Sequence, residues 1–308
     1  MELRHLRYFV AVAEEGSLTN AAERRLHTAQ PSLSRQIRDL ELEVGVKLLE
    51  RGARGIELTP SGRTFLDHAR LALLQVEAAG EAARRAARPD KAAFVVGFLA
   101  GQELVWLPEA LRILREEQPD IEITLASQSS PELAGGLMRG KVDVAFLRRE
   151  KGTPGIAFRP LVKEPLVAVL PADHRLAAAK EVRLRDLAGE TYITPTRVAP
   201  ALKAVIESYT AKNGVVLTPA FDGENLSSVL SLVTSTGGVT LLPLYVRLML
   251  PPSVVIRPLQ GEPPTIDLVL GYSRSNTSAL LKRFLLRAGE LAAGPGSNSK
   301  ESRHKSHY

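Results

Sequence analysis

The chain has 308 residues, 44% of them hydrophobic and 24% charged, which suits two or three packed domains and excludes a fibrous or disordered protein. It has no cysteine, so disulfides, thiolate nucleophiles, cysteine-ligated zinc and iron–sulfur clusters are excluded together. Forty Lys and Arg against 34 Asp and Glu leave +6, shared as +2 each by residues 1–91, 92–293 and 294–308, so net charge alone does not point to nucleic acid.

The first predicted helix carries Leu6, Phe9, Val10 and Ala13 on one face, and Gly16-Ser17 ends it. Arg4, His5 and Arg7 break any signal-peptide layout. No apolar run reaches the about 18–20 residues that span a bilayer. A cytoplasmic location without a membrane partner is therefore expected. Ser17 or Thr19 can cap a second helix over 20–26, where Ala21 and Ala22 allow a neighbour to approach closely.

After a turn at His27-Thr28, Pro31 suits the first turn of a third helix and Gly45 its end. Leu33, Ile37, Leu40 and Val44 recur at helical spacing as a buried stripe, while Gln30, Ser32, Ser34, Arg35 and Arg38 face outward. A helix, a turn and a second helix exposing these side chains is what major-groove reading requires. Gln can pair with both edge groups of adenine, and Arg with both acceptors of guanine. The same face could equally be the solvated side of a three-helix module. VKLLERGARGIELT then predicts a β-hairpin tipped by Arg51-Gly52-Ala53-Arg54-Gly55, a wing able to enter a minor groove or grip phosphate. Its place beside the third helix favours contact with DNA.

Thr59-Pro60-Ser61-Gly62 supplies a cap and a first-turn proline for a helix reaching about residue 88. Phe65, Ala69, Ala72, Val76, Ala79, Ala83 and Ala86 form a heptad seam made mostly of alanine. A helix of about 29 residues runs roughly 43 Å. Its seam suits close packing between two copies of the chain, with a surface helix on its own domain as the alternative.

From residue 92 short apolar runs alternate with amphipathic segments. Strands at 94–100, 121–127 and 142–148, with helices over 103–117 and 130–140, predict a parallel sheet with right-handed crossovers. Runs at 166–170, 192–194, 215–221 and 239–243, a helix after 192–194 and one at 226–234 predict a second lobe. A strand at 267–273 and a helix at 278–292 return to the first. In such a domain ligands sit in the crevice at the carboxyl ends of the strands. Those ends carry Gly101-Gln102, Ser129-Ser130 and Arg148, with Thr194-Pro195-Thr196 facing from the second lobe. Helix N-termini beside the first two favour an anion, and hydroxyls with an arginine suit a small carboxylate. Ser129 and Ser130 would serve equally as helix caps, and Arg148 as half of an interlobe salt bridge. Phe98, Leu99 and Phe146 read as core, and residues 294–308 as a disordered tail.

Six histidines stand at 5, 27, 68, 174, 304 and 307, none in a metal-ligating pair. No nucleophile elbow, phosphate loop or dinucleotide fingerprint occurs. Asp143 and Asp173-His174 lack a nucleophile and read as turn and surface residues. No enzymatic activity, metal or cofactor is expected.

With these residues in view, the chain resembles the LysR-type transcriptional regulators, most of all the branch that includes regulators of aromatic-compound catabolism. MELRHLRYFVAVAEEGS, the AAE…QPSLSRQI…LE…VGVKLLER run and the L-T-P-S-G-R junction match that family's DNA-binding domain almost position by position. GKVDVAF and GGVTLLP continue the likeness more loosely. The resemblance implies an α plus α/β architecture. A winged helix-turn-helix occupies 1–58, a linker and dimerisation helix 59–90, and a bilobal, periplasmic-binding-protein-like α/β effector domain 91–293. Lobe I takes 91–162 and 267–293, lobe II 163–266, and the tail follows at 294–308.

The resemblance further implies base or phosphate contacts from Gln30, Pro31, Ser34 and Arg35 and a minor-groove contact from Arg54, with Thr28, Ser32 and Arg51 in a second rank. For the effector it implies the loops bearing Gly101, Gln102, Ser129, Ser130, Arg148, Pro195 and Thr196, although Gly101 stands where several relatives offer a hydroxyl. The implied partners are double-stranded promoter DNA, further copies of the chain in a dimer of dimers, RNA polymerase and a small organic acid inducer. A ligand-independent repressor or architectural protein with a vestigial cleft is the alternative. One departure is visible. Glu23-Arg24-Arg25-Leu26 is one residue longer than the resemblance implies between the alanine pair and QPSLS.

Overall fold

The structure, a computed structural model, describes residues 1–52, 55–87, 93–195 and 199–292. The wing-tip Arg54, Thr196 and the expected tail lie outside the described residues. The chain divides into two compact units, Met1–Arg84 and Arg85–Tyr308.

In the first unit α1 (Leu3–Glu15) buries Leu6, Phe9, Val10 and Val12. α2 (Leu18–Asn20) starts at Ser17, whose hydroxyl accepts the Asn20 N–H at 3.3 Å, and passes directly into a π-helical turn, Ala21–Leu26. Ala21 and Ala22 are fully buried, and the Ala22 carbonyl accepts the N–H groups of both His27 and Thr28. The Glu23-Arg24-Arg25-Leu26 stretch therefore lies in a wide turn. α3 (Gln30–Val44) has Pro31 in its first turn and buries Leu33, Ile37 and Leu40 as expected.

Glu41 is buried as well, which the periodicity did not indicate. Its carboxylate accepts the Leu48 and Leu49 N–H groups at 2.9 and 3.1 Å and Lys47 Nζ at 2.7 Å. These bonds fix the entry to the hairpin of β1 (Leu49–Gly52) and β2 (Gly55–Leu58), in which Arg51 pairs with Ile56. Burial pushes the Glu41 carboxyl up, but Lys47 and the two amides outweigh it and hold it below its ordinary range. Because the folded value is depressed, the contribution to stability is present above the ordinary glutamate range, about 4.3. It is lost as pH falls through the lower folded value. The resistance of this unit to urea unfolding is expected to fall on acidification below about pH 4.3, and Glu41→Gln to flatten that acid limb.

α4 (Pro60–Ala86) is 27 residues long. Thr59 Oγ1 accepts the Gly62 N–H at 2.9 Å and donates to the Lys47 carbonyl at 2.8 Å. A Cβ on Gly62 would lie 1.9 Å from the Leu48 oxygen, so this junction tolerates only glycine. Phe65, Leu66, Ala69 and Ala72 pack on the core of α1–α3, with Phe65 edge-on to Phe9 at 5.1 Å. From Val76 onward the seam residues Val76, Ala79 and Ala83 are exposed.

The second unit opens with β3 (Ala93–Phe98), α5 (Glu103–Glu117), β4 (Glu122–Ser127), α6 (Ser130–Met138) and β5 (Val144–Arg148). β3 pairs in parallel with both β4 and β5, the predicted βαβαβ arrangement. There follow β6 (Ile156–Pro171), β7 (Tyr192–Thr194), α7 (Pro200–Lys212), β8 (Pro219–Asp222), α8 (Leu226–Thr236), β9 (Thr240–Pro243), β10 (Val254–Pro258), β11 (Thr265–Ser273), α9 (Ala279–Leu286) and α10 (Ala288–Ala292).

Sequence periodicity shows only the second part of β6, at 166–170. Residues 156–165 include Arg159, Lys163, Glu164 and two prolines and carry no apolar alternation. In the fold that stretch pairs with β11, whereas 166–171 pairs with β9 and β10, so one strand of 16 residues crosses from lobe to lobe. β10 was likewise not foreseen, β8 is shorter than expected, and the final helix is two helices that part at Arg287. Phe94, Trp106, Phe146 and Phe284 centre one lobe, and Leu166–Leu170 with Val229 and Leu241 the other.

Asp143 corrects one expectation. It is buried, accepting the Val95 N–H at 2.8 Å and Asn276 Nδ2 at 2.9 Å, because the start of the sheet needs an acceptor there. His174 is not a surface residue either: it is half-buried, with Nε2 3.2 Å from Glu190.

Candidate DNA-reading surface and effector cleft

α3 is held against the first unit's core by its buried stripe, so its other face is presented outward. Gln30, Pro31, Ser32, Arg35 and Arg38 are exposed there, and Thr28 and Ser34 are half-buried. The Arg35 side chain is 80% exposed and only loosely paired with Asp39, at 4.0 Å, so its guanidinium can change partners at little cost. His5 Nε2 lies 3.1 Å from Gln36 Oε1 and ties α1 to α3 behind that face. Arg51 is exposed on β1, and Ile56 on β2 donates its N–H to the Gly16 carbonyl at 2.8 Å, which docks the wing on the end of α1.

Of the expected effector residues in the second unit, Arg148 lines the groove described below, whereas Gly101, Gln102, Ser129, Ser130 and Pro195 do not. Gln102 is fully buried at the start of α5, and Trp106 Nε1 donates to its Oε1 at 3.1 Å. Indole can only donate, so the amide orientation is determined and Nε2 is left without a partner. Beside it Gly101 sits at φ +91°, where a Cβ would come within 2.5 Å of Met249 Sδ and 2.7 Å of Tyr245 Cε2. A residue with a Cβ at 101 would strain the left-handed backbone and displace those two side chains, which follow β9.

Ser130 is buried and accepts the Arg148 N–H at 2.9 Å. Ser129 caps α6, its Oγ donating to Glu132 at 2.7 Å. Arg148 is 5% exposed, ion-paired with the buried Glu164 of β6 and 5.7 Å from the Tyr245 ring centroid. Burial pushes the Tyr245 phenol up to about 12, with Arg148 opposing and Glu164 and Glu103 adding, so it stays a neutral donor. Pro195 is buried at the end of β7.

A groove of about 790 Å³ opens between α6 and α7, bounded by Pro131 and Ala134 on one side and Pro200 and Ala201 on the other. Arg148, Arg149, Lys151 and Lys163 line it, against two acids, Glu150 and Asp267. Burial pushes the Glu150 carboxyl up, offset only in part by the Ala201 amide. First-turn residues of both helices line the groove, and helix N-termini favour anions. Tyr245, Met249, Trp106 and Glu164 were missed by sequence reasoning. Only Tyr245, two residues past the strand end Pro243, carried a usable signal. Among the described residues no group of three or more acidic or histidine side chains could hold a metal, and no helix is long and apolar enough to cross a membrane.

Residues 3–63 match a family model described as bacterial regulatory helix-turn-helix protein, lysR family, and residues 87–292 match one described as LysR substrate binding domain. The Hca operon transcriptional activator HcaR of Escherichia coli (strain K12) is 39% identical over 298 residues, 95% of this chain and 99% of that protein. BenM of Acinetobacter baylyi is 34% identical over 246 residues, 79% of this chain and 80% of that one. Full-length CbnR complexed with its target DNA superposes with a TM-score of 0.55 at 29% identity, covering 95% of this chain and 100% of that chain.

Proposed function

The chain belongs to the LysR family of bacterial transcriptional regulators, and on that premise we propose that a small organic acid bound between its lobes controls how a pair of its reading heads engages promoter DNA. It is a DNA-binding regulator with an effector-binding domain. The exposed half of the α4 seam supports pairing with the same helix of a second copy, which would match two recognition helices to an inverted repeat. Assembly into a dimer of dimers, contact with RNA polymerase and a cytoplasmic site of action complete the reading and rest on the family resemblance.

The observation that carries the choice of an acid is the groove, where Arg149, Lys151 and Lys163 stand against Glu150 and Asp267, Arg148 is matched by Glu164, and first-turn residues of two helices form part of the wall. A carboxylate there gains from both the charge and the helix ends. It acts by binding one arrangement of the lobes more tightly than another, since only differential affinity moves such an equilibrium. The test is a thermal-shift series with aromatic and aliphatic carboxylates. A true effector raises the unfolding midpoint with concentration, by about 2.7 kcal/mol of stability at a hundredfold excess over Kd. A flat response across the series would mean a vestigial cleft in a ligand-independent repressor.

For the reading heads, Gln30→Ala or Arg35→Ala is expected to relax base preference at one position of each half-site by about 1–3 kcal/mol. Mobility-shift titrations against operator variants measure it. Unchanged discrimination would remove the residue from the set that reads bases.

A further inference from the structure

Glu14 stands in the last turn of α1, where a carboxylate opposes the helix dipole. Its surroundings explain its place. Oε1 accepts Arg70 Nε at 3.0 Å and Arg70 Nη2 at 2.6 Å, both from α4, and Oε2 is ion-paired with Arg25 of the π-helical turn. Burial pushes the Glu14 carboxyl up, but the two guanidinium groups outweigh it and hold it below its usual range. Three elements meet on one carboxylate. Arg25 stands in the π-helical turn Ala21–Leu26, where Ala22 is fully buried and Leu26 packs on the same core while Arg25 itself is exposed.

We propose that Glu14 is a positioning residue: with Arg25 and Arg70 it fixes the angle of α4 on the reading head and thereby the spacing between half-sites that a dimer accepts. The proposal rests on the dimeric reading given above. The node is too exposed for stability to be its main effect, since the Arg25 and Arg70 side chains are 42% and 46% accessible and such pairs contribute little. Direction is what it adds. Apart from the Thr59 hydrogen bond to the Lys47 carbonyl at the start of the helix and the edge-on Phe65–Phe9 contact, the packing of α4 on the head, from Leu66, Ala69 and Ala72, is apolar and nondirectional. A guanidinium fork on a carboxylate is directional. From Arg70 to Ala86 the helix extends about 24 Å, so a tilt of about 5° at the node moves its far end by roughly 2 Å.

The test is selection of duplexes from a random library by the full-length protein and by Glu14→Gln, Arg25→Ala and Arg25→Lys. The wild type is expected to enrich an inverted repeat with one dominant spacing. Glu14→Gln and Arg25→Ala should enrich the same half-site sequence, with the share of the dominant spacing reduced at least threefold, and Arg25→Lys should restore it in part. Thermal unfolding midpoints should stay close to wild type. If both variants return the wild-type spacing, or if the half-site sequence itself changes, the proposal is overturned while the dimer stands. If the wild type enriches single half-sites only, the dimeric reading falls and takes this proposal with it. Should Glu14→Gln fail to fold, Arg25→Ala decides.

Discussion

Arg148→Ala is expected to destabilise the effector-binding unit by about 3–5 kcal/mol, because it leaves the buried Glu164 carboxylate without its counter-charge. Arg148 also donates to the Ile266 carbonyl at 3.4 Å and faces the Tyr245 ring, so its loss unpins the place where β6 passes between lobes. Urea unfolding followed in the second unit measures the effect. Replacing the pair together, Arg148→Met with Glu164→Leu, should recover most of it, since two apolar side chains leave no orphaned charge. A cost below about 1 kcal/mol for Arg148→Ala would show that the pair behaves as a solvated one. Within the groove Arg148 is already matched by Glu164, so Arg149, Lys151 and Lys163 carry its remaining positive charge.

Phe9→Ala should have a comparable effect on the other unit. Phe9 is fully buried between α1 and α4 and packs edge-on against Phe65, and truncating such a ring costs about 3–5 kcal/mol. DNA binding should be lost with it, because the outward face of α3 depends on the same core. Since Met1–Arg84 and Arg85–Tyr308 are separately compact, calorimetry should show the reading-head transition lowered and the other unchanged. A common shift of both transitions would mean that the units unfold as one. Phe9→Leu, which keeps most of the volume, should cost much less.

The helices of the reading head were legible because their signals are local. Leu33, Ile37 and Leu40 repeat at helical spacing, Pro31 and Gly45 mark the ends, and the outward face of Gln30, Ser32 and Arg35 follows from that phase alone. The π-helical turn before α3 was not legible, because its width depends on Ala22 and Leu26 both being held by a core assembled from other helices.

In the effector unit the strand ends at Gly101-Gln102, Ser129-Ser130 and Arg148 could be read from alternating apolar runs, and the structure adds what contacts them. Tyr245 and Met249 fill the space over Gly101, Trp106 orients Gln102, and Glu164 neutralises Arg148. Nothing beside Glu164 in the chain marks it as the partner, since the pairing comes from the register in which β11 lies between β5 and β6. Glu41 is the same case in the first unit. Thus the amino-acid order by itself determined where helices and strands form, which faces are apolar, and that a reading head precedes a two-lobed domain, because periodicity and capping act between near neighbours. Only the tertiary structure decided which charges are paired, which carboxylates are buried and what closes over the cleft, because those energies depend on groups brought together from distant parts of the chain.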